Sequence, residues 1–254
     1  SLESYINALQ QKYGLVELLD RYNAAKLPQF QVANLTEDKK RKTNAGEFTS
    51  TLIDALNRVL ESKEQAIIFQ NRRGFSNYLT CEDCGYIPEC SRCAVSLTYH
   101  QYKNQLNCHY CGHKEGVPVV CPACGSTKVQ TVGIGTEKIE EDLKLLFPKA
   151  RIKRMDLETT RAKYAYQTII QEFEKGEIDV LVGTQMVSKG LDFDKVSLVG
   201  VFDLDRMLYF PDFRSYERAF QMTTQVGGRA GRRETEGLVI LQSRNPDQHI
   251  VDLI

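Results

Sequence analysis

The chain has 254 residues, long enough for one good-sized core and a small additional module. Its 33 Lys and Arg balance 33 Asp and Glu, so the formal net charge is zero and no strong field of the whole molecule draws it to nucleic acid. Any DNA contact must therefore be a local patch. No apolar run approaches the ~20 residues of a membrane-spanning helix, which argues against a membrane span.

The first part of the chain carries helical patterns and one basic run. Its first residue is Ser1 rather than methionine, no signal-peptide pattern precedes the first helical pattern, and the sequence therefore resembles an excised fragment. Apolar spacing predicts a helix over residues 1–13 that ends at Gly14. The basic run 39–42 is interpreted as a solvated loop rather than a phosphate track. A second amphipathic helix is predicted to begin near Ser50 or Thr51.

Buried-type strands alternate with helices through most of the remaining chain. Helices are predicted from Thr136, around residues 166–173 and over 214–224. Such alternation predicts an α/β fold with a parallel sheet covered on both faces, interrupted by a cysteine-rich insertion. The predicted strands are residues 66–69, 151–155, 179–183, 196–202 and 238–241.

The first predicted strand is followed at once by Asn71-Arg-Arg-Gly-Phe75. Open α/β sheets bind their ligands in a crevice at the carboxyl ends of the strands. Basic residues and a glycine at this position therefore suit a ligand crevice, although this signal is weak when taken alone.

All eight cysteines lie within residues 81–124 and form four Cys-x-x-Cys pairs: Cys81/Cys84, Cys90/Cys93, Cys108/Cys111 and Cys121/Cys124. Two thiolates at this spacing can lie on one face of a tight turn, about one edge of a tetrahedral zinc site. Four pairs therefore predict two structural Zn²⁺ ions, each with four thiolate ligands and no open position for water. The spacing leaves consecutive, alternating and nested groupings of the pairs open.

Two other interpretations of the cysteines are disfavoured. A redox pair normally occurs singly at a helix start, and an iron–sulfur cluster would require iron in metal analysis. The segment has few large apolar side chains, so metal must supply the free energy of its folding. Three Lys or Arg stand against four Asp or Glu between Cys81 and Cys124, which favours protein contact or placement of a DNA end over phosphate tracking.

The stretch Gln225-Val-Gly-Gly-Arg-Ala-Gly-Arg232 follows a helical pattern and holds two guanidinium groups three residues apart. A guanidinium donates two parallel hydrogen bonds to phosphate oxygens, and it stabilises charge that develops on a transferring phosphoryl group. We expect Arg229 and Arg232 to act as arginine fingers, worth about 10³ to 10⁵ in rate. The alternative is a solvated basic turn, which the preceding glutamine and the doubled Gly-Arg unit disfavour.

With these motifs assembled, nearly the whole chain resembles the carboxyl-terminal part of the PriA family of bacterial replication-restart helicases (primosomal protein N′). Several specific motifs together carry the resemblance. They are Asn71-Arg-Arg-Gly-Phe75, the four cysteine pairs at this spacing, Val182-Gly-Thr-Gln-Met186 with Lys189-Gly190, Pro211-Asp-Phe-Arg214 with Glu217-Arg218, and the stretch 225–232.

The resemblance implies a superfamily 2, 3′-to-5′ DNA helicase, of which this chain is the second RecA-like lobe with an inserted, zinc-ribbon-like module. It divides the chain into an inter-lobe connecting segment (1–48), the helicase lobe (49–80 and 125–254) and the zinc-binding insertion (81–124). It also implies a nested grouping of the cysteines, with Cys81, Cys84, Cys121 and Cys124 on one zinc and Cys90, Cys93, Cys108 and Cys111 on the other.

The resemblance further implies roles for single residues. Arg229 and Arg232 would face ATP bound on another lobe, and Gln225 would couple nucleotide state to lobe closure. The remaining residues would face the nucleotide (Gly190, Asp192 and Gly228) or contact DNA (Arg72, Arg73, Thr184, Gln185 and Lys189).

One part of the helicase pattern is absent from the chain. It contains no Gly-x-x-x-x-Gly-Lys-[Ser/Thr] loop and no Asp-Glu-x-x box, so nothing here can cradle the β and γ phosphates or hold Mg²⁺. We therefore expect ATP and Mg²⁺ to bind only together with a missing amino-terminal lobe, and the chain alone to hydrolyse no ATP.

The expected partners are that missing lobe, forked or single-stranded DNA and, through the zinc module, primosome proteins. The expected location is the bacterial cytoplasm, with no membrane partner. The alternative is a zinc-ribbon interaction module on a non-hydrolysing RecA-like lobe that binds DNA or protein. The arginines disfavour it, because a pure scaffold has no physical use for two guanidinium groups on a glycine-rich turn.

Overall fold

A computed structural model describes residues 2–17, 27–71, 78–100, 103–132, 135–187, 193–231 and 237–247. The helices in these ranges are α1 (Leu2–Leu9), α2 (Leu35–Arg41), α3 (Ser50–Glu61), α4 (Thr136–Leu146), α5 (Ala165–Glu174), α6 (Asp205–Leu208) and α7 (Ser215–Gly227). The strands are β1 (Gln29–Asn34), β2 (Gln65–Phe69), β3 (Tyr78–Cys81), β4 (Thr98–His100), β5 (Gln105–Asn107), β6 (Lys114–Gly116), β7 (Val129–Val132), β8 (Ile152–Met155), β9 (Val180–Gly183), β10 (Val196–Val201) and β11 (Leu238–Ser243).

Six strands form one parallel sheet in the order β1-β11-β10-β2-β9-β8. Strands β2, β9 and β10 are buried along their whole length, as expected of inner strands covered on both faces. Their continuous Val, Ile and Leu runs explain why the sequence pattern locates them correctly. The predicted parallel α/β sheet is confirmed.

Helices cover both faces of this sheet and divide the core into two clusters. On one face, α3 and α4 bury Leu52, Leu56 and Ile139 against the sheet. On the other face, α5 and α7 bury Phe173 and Val226. The carboxyl ends of the strands therefore remain available at one edge of the sheet, where open α/β folds bind ligands.

Residues 29–41 are more regular than the sequence pattern suggests. Strand β1 pairs along its whole length with β11, although it lies within the span 1–48 that is predicted to connect two lobes. The predicted solvated loop at 39–42 is wrong, because α2 extends to Arg41. Asn34 caps this helix, and its basic last turn complements the helix dipole. The division of the chain into domains stays a prediction.

The cysteine-rich segment has small sheets of its own. Strands β3 and β7 pair antiparallel, with Cys81 opposite Val129, so the segment between them begins and ends at neighbouring points. Strands β4, β5 and β6 form a second antiparallel sheet. Its apolar core is small and centres on Leu79, Leu97 and Leu106 together with cysteine side chains. Within the described ranges, no helix has the length and apolarity that crossing a bilayer requires.

Candidate functional site

Three polar side chains line one cavity that extends from the carboxyl edge of the main sheet along α7. Asn71 follows β2, Gln185 follows β9, and Gln225 lies near the end of α7. All three line one cavity of about 300 Å³, and the Gln185 amide donates a long hydrogen bond of 3.5 Å to Asn71 Oδ1. The neighbouring Thr184 accepts the backbone N–H of Val187 through its carbonyl, which closes the short turn that carries Gln185. The structure thus brings together three residues from segments that the sequence singles out.

The arginine-rich turn begins where α7 ends. Gly228 donates its backbone N–H to Thr224, and Gly231 takes a left-handed φ of 67° and donates to the carbonyl of Val196 at the start of β10. The Arg229 side chain is only 9% exposed, and neither it nor Gly228 lines the cavity around Gln225. The predicted role of Arg229 as an arginine finger therefore requires its side chain to turn outwards.

Six predicted site residues lie outside the described residues. This group contains the basic pair after β2, three residues of the segment after β9 and the second arginine of the turn. They are Arg72, Arg73, Lys189, Gly190, Asp192 and Arg232.

The eight cysteines gather into two clusters in the nested grouping. Within each cluster the four sulfur atoms lie within 4.8 Å of one another. In the first, Cys81 and Cys124 are 3.6 Å apart at their sulfurs, as are Cys84 and Cys121. A tetrahedral site with Zn–S bonds of ~2.3 Å has edges of ~3.8 Å, so the thiols fit Zn²⁺ closely. The clusters consist of Cys81, Cys84, Cys121 and Cys124, and of Cys90, Cys93, Cys108 and Cys111.

The backbone also prepares each pair for a metal ion. The first cysteine of every pair accepts, at its carbonyl oxygen, the backbone N–H of the residue four positions later. That residue has a positive φ in all four turns, which glycine adopts without strain and alanine does not. The four residues are Gly85, Ala94, Gly112 and Gly125.

The pKa values in the first cluster diverge. Burial raises the pKa of Cys84 to about 12, and hydrogen bonds to the neighbouring thiols add to the rise. Burial tends to raise the pKa of Cys121 as well, but hydrogen bonds from the backbone N–H groups of Cys124 and Ala123 outweigh this effect. The pKa of Cys121 is therefore lowered to about 7. Four thiolates therefore need a cation to offset their mutual repulsion, which is the role that a structural Zn²⁺ fills.

The cysteine-rich segment packs on the loop between β10 and α7. Ser96 donates its hydroxyl to the Tyr209 carbonyl, and the Tyr110 hydroxyl accepts the backbone N–H of Phe213 over 3.2 Å. At its base, the Tyr78 hydroxyl donates to Asp203 over 3.3 Å. No sequence pattern marks these contacts, because they use common residue types and two of the three involve a backbone group.

Asp203 and Asp205 brace this junction through hydrogen bonds. Asp203 accepts the backbone N–H of Arg206, and Asp205 accepts the Ser243 hydroxyl and the backbone N–H of Arg244. Burial, with the neighbouring charge of Asp203, raises the pKa of Asp205 to about 6. Asp205 thus holds the loop after β10 to the end of β11, and Asp203 joins that loop to β3 through Tyr78.

The turn at Gly85 allows a matched test of this packing. Alanine at Gly85 or at Gly112 meets the same left-handed strain, roughly 1–2 kcal/mol. Only at Gly85 would the added Cβ lie 2.8 Å from the Arg244 carbonyl oxygen, whereas nothing lies within 4 Å at Gly112. We expect Gly85→Ala to lower the free energy of unfolding by ~1–3 kcal/mol more than Gly112→Ala, measured by urea denaturation. Equal losses would contradict close packing at this turn.

Comparison with known proteins gives matches over the whole chain. Residues 90–115 match the PriA DNA helicase Cys-rich region (CRR) domain, and residues 126–234 match the helicase conserved C-terminal domain. The replication restart protein PriA of Bacillus subtilis is 44% identical over 253 residues, which cover 100% of this chain and 31% of that protein. The Haemophilus influenzae PriA is 38% identical over 252 residues, covering 99% of this chain and 34% of that protein.

Two solved structures align with most of the chain at low identity. Saccharomyces cerevisiae Dbp5 bound to RNA and ADP BeF3 has a TM-score of 0.48 and 14% identity, covering 99% of this chain and 44% of that one. RecG bound to a three-way DNA junction has a TM-score of 0.46 and 11% identity, covering 88% and 19%. These likenesses are too distant to carry an argument about function. The sequence matches show that the chain, which spans about a third of the length of these relatives, belongs to the family of the replication restart proteins PriA.

Proposed function

We propose that the chain is the carboxyl-terminal lobe of an ATP-dependent, 3′-to-5′ DNA helicase that acts in replication restart. The observation that carries this proposal is the shared cavity that Asn71, Gln185 and Gln225 line. In this position Gln185 and Thr184 contact the DNA backbone. Gln225 senses the nucleotide from α7, so the contacts with DNA change when the nucleotide state changes.

The remaining site residues keep the roles that the family resemblance implies. Arg229 and Arg232 face the phosphates of ATP that is bound, with Mg²⁺, by a separate amino-terminal lobe. The other proposed contacts are to the nucleotide (Gly190, Asp192 and Gly228) and to DNA (Arg72, Arg73 and Lys189).

Two structural Zn²⁺ ions, each bound by one cysteine cluster, hold the segment 81–124 in its fold. Through this zinc module the protein contacts primosome proteins, the role that the family resemblance implies. A second candidate function is a zinc-ribbon interaction module on a lobe that binds DNA or protein without turnover. The 9% exposure of Arg229 favours this alternative, because a buried guanidinium contacts no nucleotide.

The test compares the chain alone with a protein extended by the amino-terminal lobe of its own sequence. We expect the extended protein to hydrolyse ATP faster with single-stranded DNA and to unwind a duplex that has a 3′ tail rather than a 5′ tail. The chain alone is expected to show no hydrolysis, since it lacks the phosphate-binding loop. Turnover by the chain alone would overturn the division of roles, and an inactive extended protein would favour the interaction module.

A further inference from the structure

The loop that follows β8 lies at the same edge of the sheet as the candidate site. Strand β8 neighbours β9, and β9 neighbours β2, so the loops after these three strands stand side by side. Strands β8 and β2 are separated by two strand spacings, a distance of ~10 Å. One DNA strand carries a phosphate every ~3.4 Å in a duplex, so roughly three phosphates span this distance.

The start of this loop is rigidly anchored. Asp156 is fully buried, and its Oδ1 accepts the backbone N–H groups of Glu158 and Thr159 over 2.9 and 3.1 Å. Its Oδ2 accepts the hydroxyl of Thr136 over 2.6 Å, which ties the loop to the start of α4. The Thr160 hydroxyl lies 3.7 Å from the sulfur of Met186, in the turn that also carries Gln185. The loop is therefore held against the candidate site before any ligand binds.

The outer half of the loop presents positive charge and an aromatic ring. Arg161 and Lys163 are exposed, and among the described residues no ion pair or hydrogen bond engages the Arg161 side chain. Glu158 faces Arg154 at 3.4 Å, and the other carboxylate of the loop, Asp156, is buried. Among the described residues, the exposed charge of the loop that forms no ion pair is thus cationic, on a chain whose formal net charge is zero.

Tyr164 completes this surface. Its side chain is 63% exposed, and the ammonium of Lys163 lies 5.0 Å from the centre of its ring. Its backbone has a φ of 72°, a conformation that costs a residue with a side chain free energy and that is concentrated at functional sites. An exposed ring beside exposed cations is the arrangement by which proteins hold single-stranded nucleic acid.

We infer that the loop 157–164 is a contact site for the single DNA strand that crosses Gln185. Arg161 and Lys163 bind successive phosphates, and Tyr164 stacks against a base. The inference rests on the proposed helicase function. It adds that the DNA strand crosses the sheet at its edge strand, β8. An acidic protein segment is the competing occupant, and it would leave the DNA affinity independent of these side chains.

The experiment measures binding of a fluorescent oligothymidine to the extended protein at several salt concentrations. The double variant Arg161→Gln, Lys163→Gln should lower the slope of log K against log salt by about 1.4, since each single-strand phosphate contact contributes ~0.7. Tyr164→Ala should weaken binding about 5- to 150-fold, while Tyr164→Phe keeps the ring and the affinity.

The matched control is Lys149→Gln with Lys175→Gln, two exposed lysines that precede β8 and β9 at the opposite edge of the sheet. This control should leave both slope and affinity unchanged. If the native protein binds DNA and the loop variants bind with the native slope and affinity, the loop assignment is wrong while the helicase proposal stands. If the native protein does not bind DNA, both fail.

Discussion

Removing zinc is expected to unfold the segment 81–124 while the parallel sheet stays folded. The apolar core of this segment is too small to offset its conformational entropy. Zinc-finger peptides gain ~10 to 16 kcal/mol per site from metal at neutral pH, as much as the ~5 to 15 kcal/mol that stabilises a whole domain. The main sheet has its own two clusters of buried side chains and does not depend on the metal.

Amide hydrogen exchange before and after addition of a zinc chelator measures this effect. Protection should vanish in β4, β5 and β6 and persist in β10. It should also fall around Tyr209 and Phe213, because Ser96 and Tyr110 of the zinc module bond to the backbone there. Unchanged protection in β4 to β6 after the metal is removed would contradict a fold that depends on zinc.

Paired cysteine substitutions separate the possible groupings of ligands. In the nested grouping Cys84 and Cys121 share one ion, so their double change to serine should leave one zinc per chain. Cys84 and Cys93 belong to different ions, and their double change should remove both. A consecutive grouping predicts the reverse result, and an alternating grouping predicts that both double variants lose both ions. Native mass spectrometry counts the bound zinc.

The parts of the fold that can be predicted from the sequence are those whose burial leaves a recognisable apolar pattern. The runs at Val180–Gly183 and Val196–Val201 are continuous and apolar because both faces of the inner strands are covered. Strand β1 is an edge strand with a mixed burial pattern, so its sequence shows no such run. Helix α2 is short, and its basic end resembles a solvated loop in the sequence.

The candidate site, too, can be predicted from the sequence only in part. Cysteine spacing indicates tetrahedral metal sites, but any two of the four pairs can complete one, so the grouping depends on tertiary structure. The sequence motifs identify Gln185 and Gln225, yet only the tertiary structure shows that they line one cavity with Asn71. The burial of Arg229 could not be predicted, because the same glycine-rich turn can point its arginines either way.

In the extended protein, Arg232→Ala is expected to lower DNA-stimulated ATP hydrolysis by about 10³- to 10⁵-fold while nucleotide still binds. A finger stabilises charge that develops on the transferring phosphoryl group, so its loss affects turnover rather than binding of the ground state. Arg232→Lys keeps the charge but loses the planar fork, and it should recover only part of the rate. Steady-state hydrolysis and fluorescent-nucleotide binding measure the two effects separately.

The two arginines of the turn should differ in what they disturb. Arg229 is largely buried, so Arg229→Ala should lower the free energy of unfolding as well as turnover, whereas Arg232→Ala should lower turnover alone. Arg58→Ala, on the exposed side of α3, is the control and should change neither. Native turnover by the Arg232→Ala protein would make the turn structural. The zinc-bearing interaction module would then be the better account of this chain.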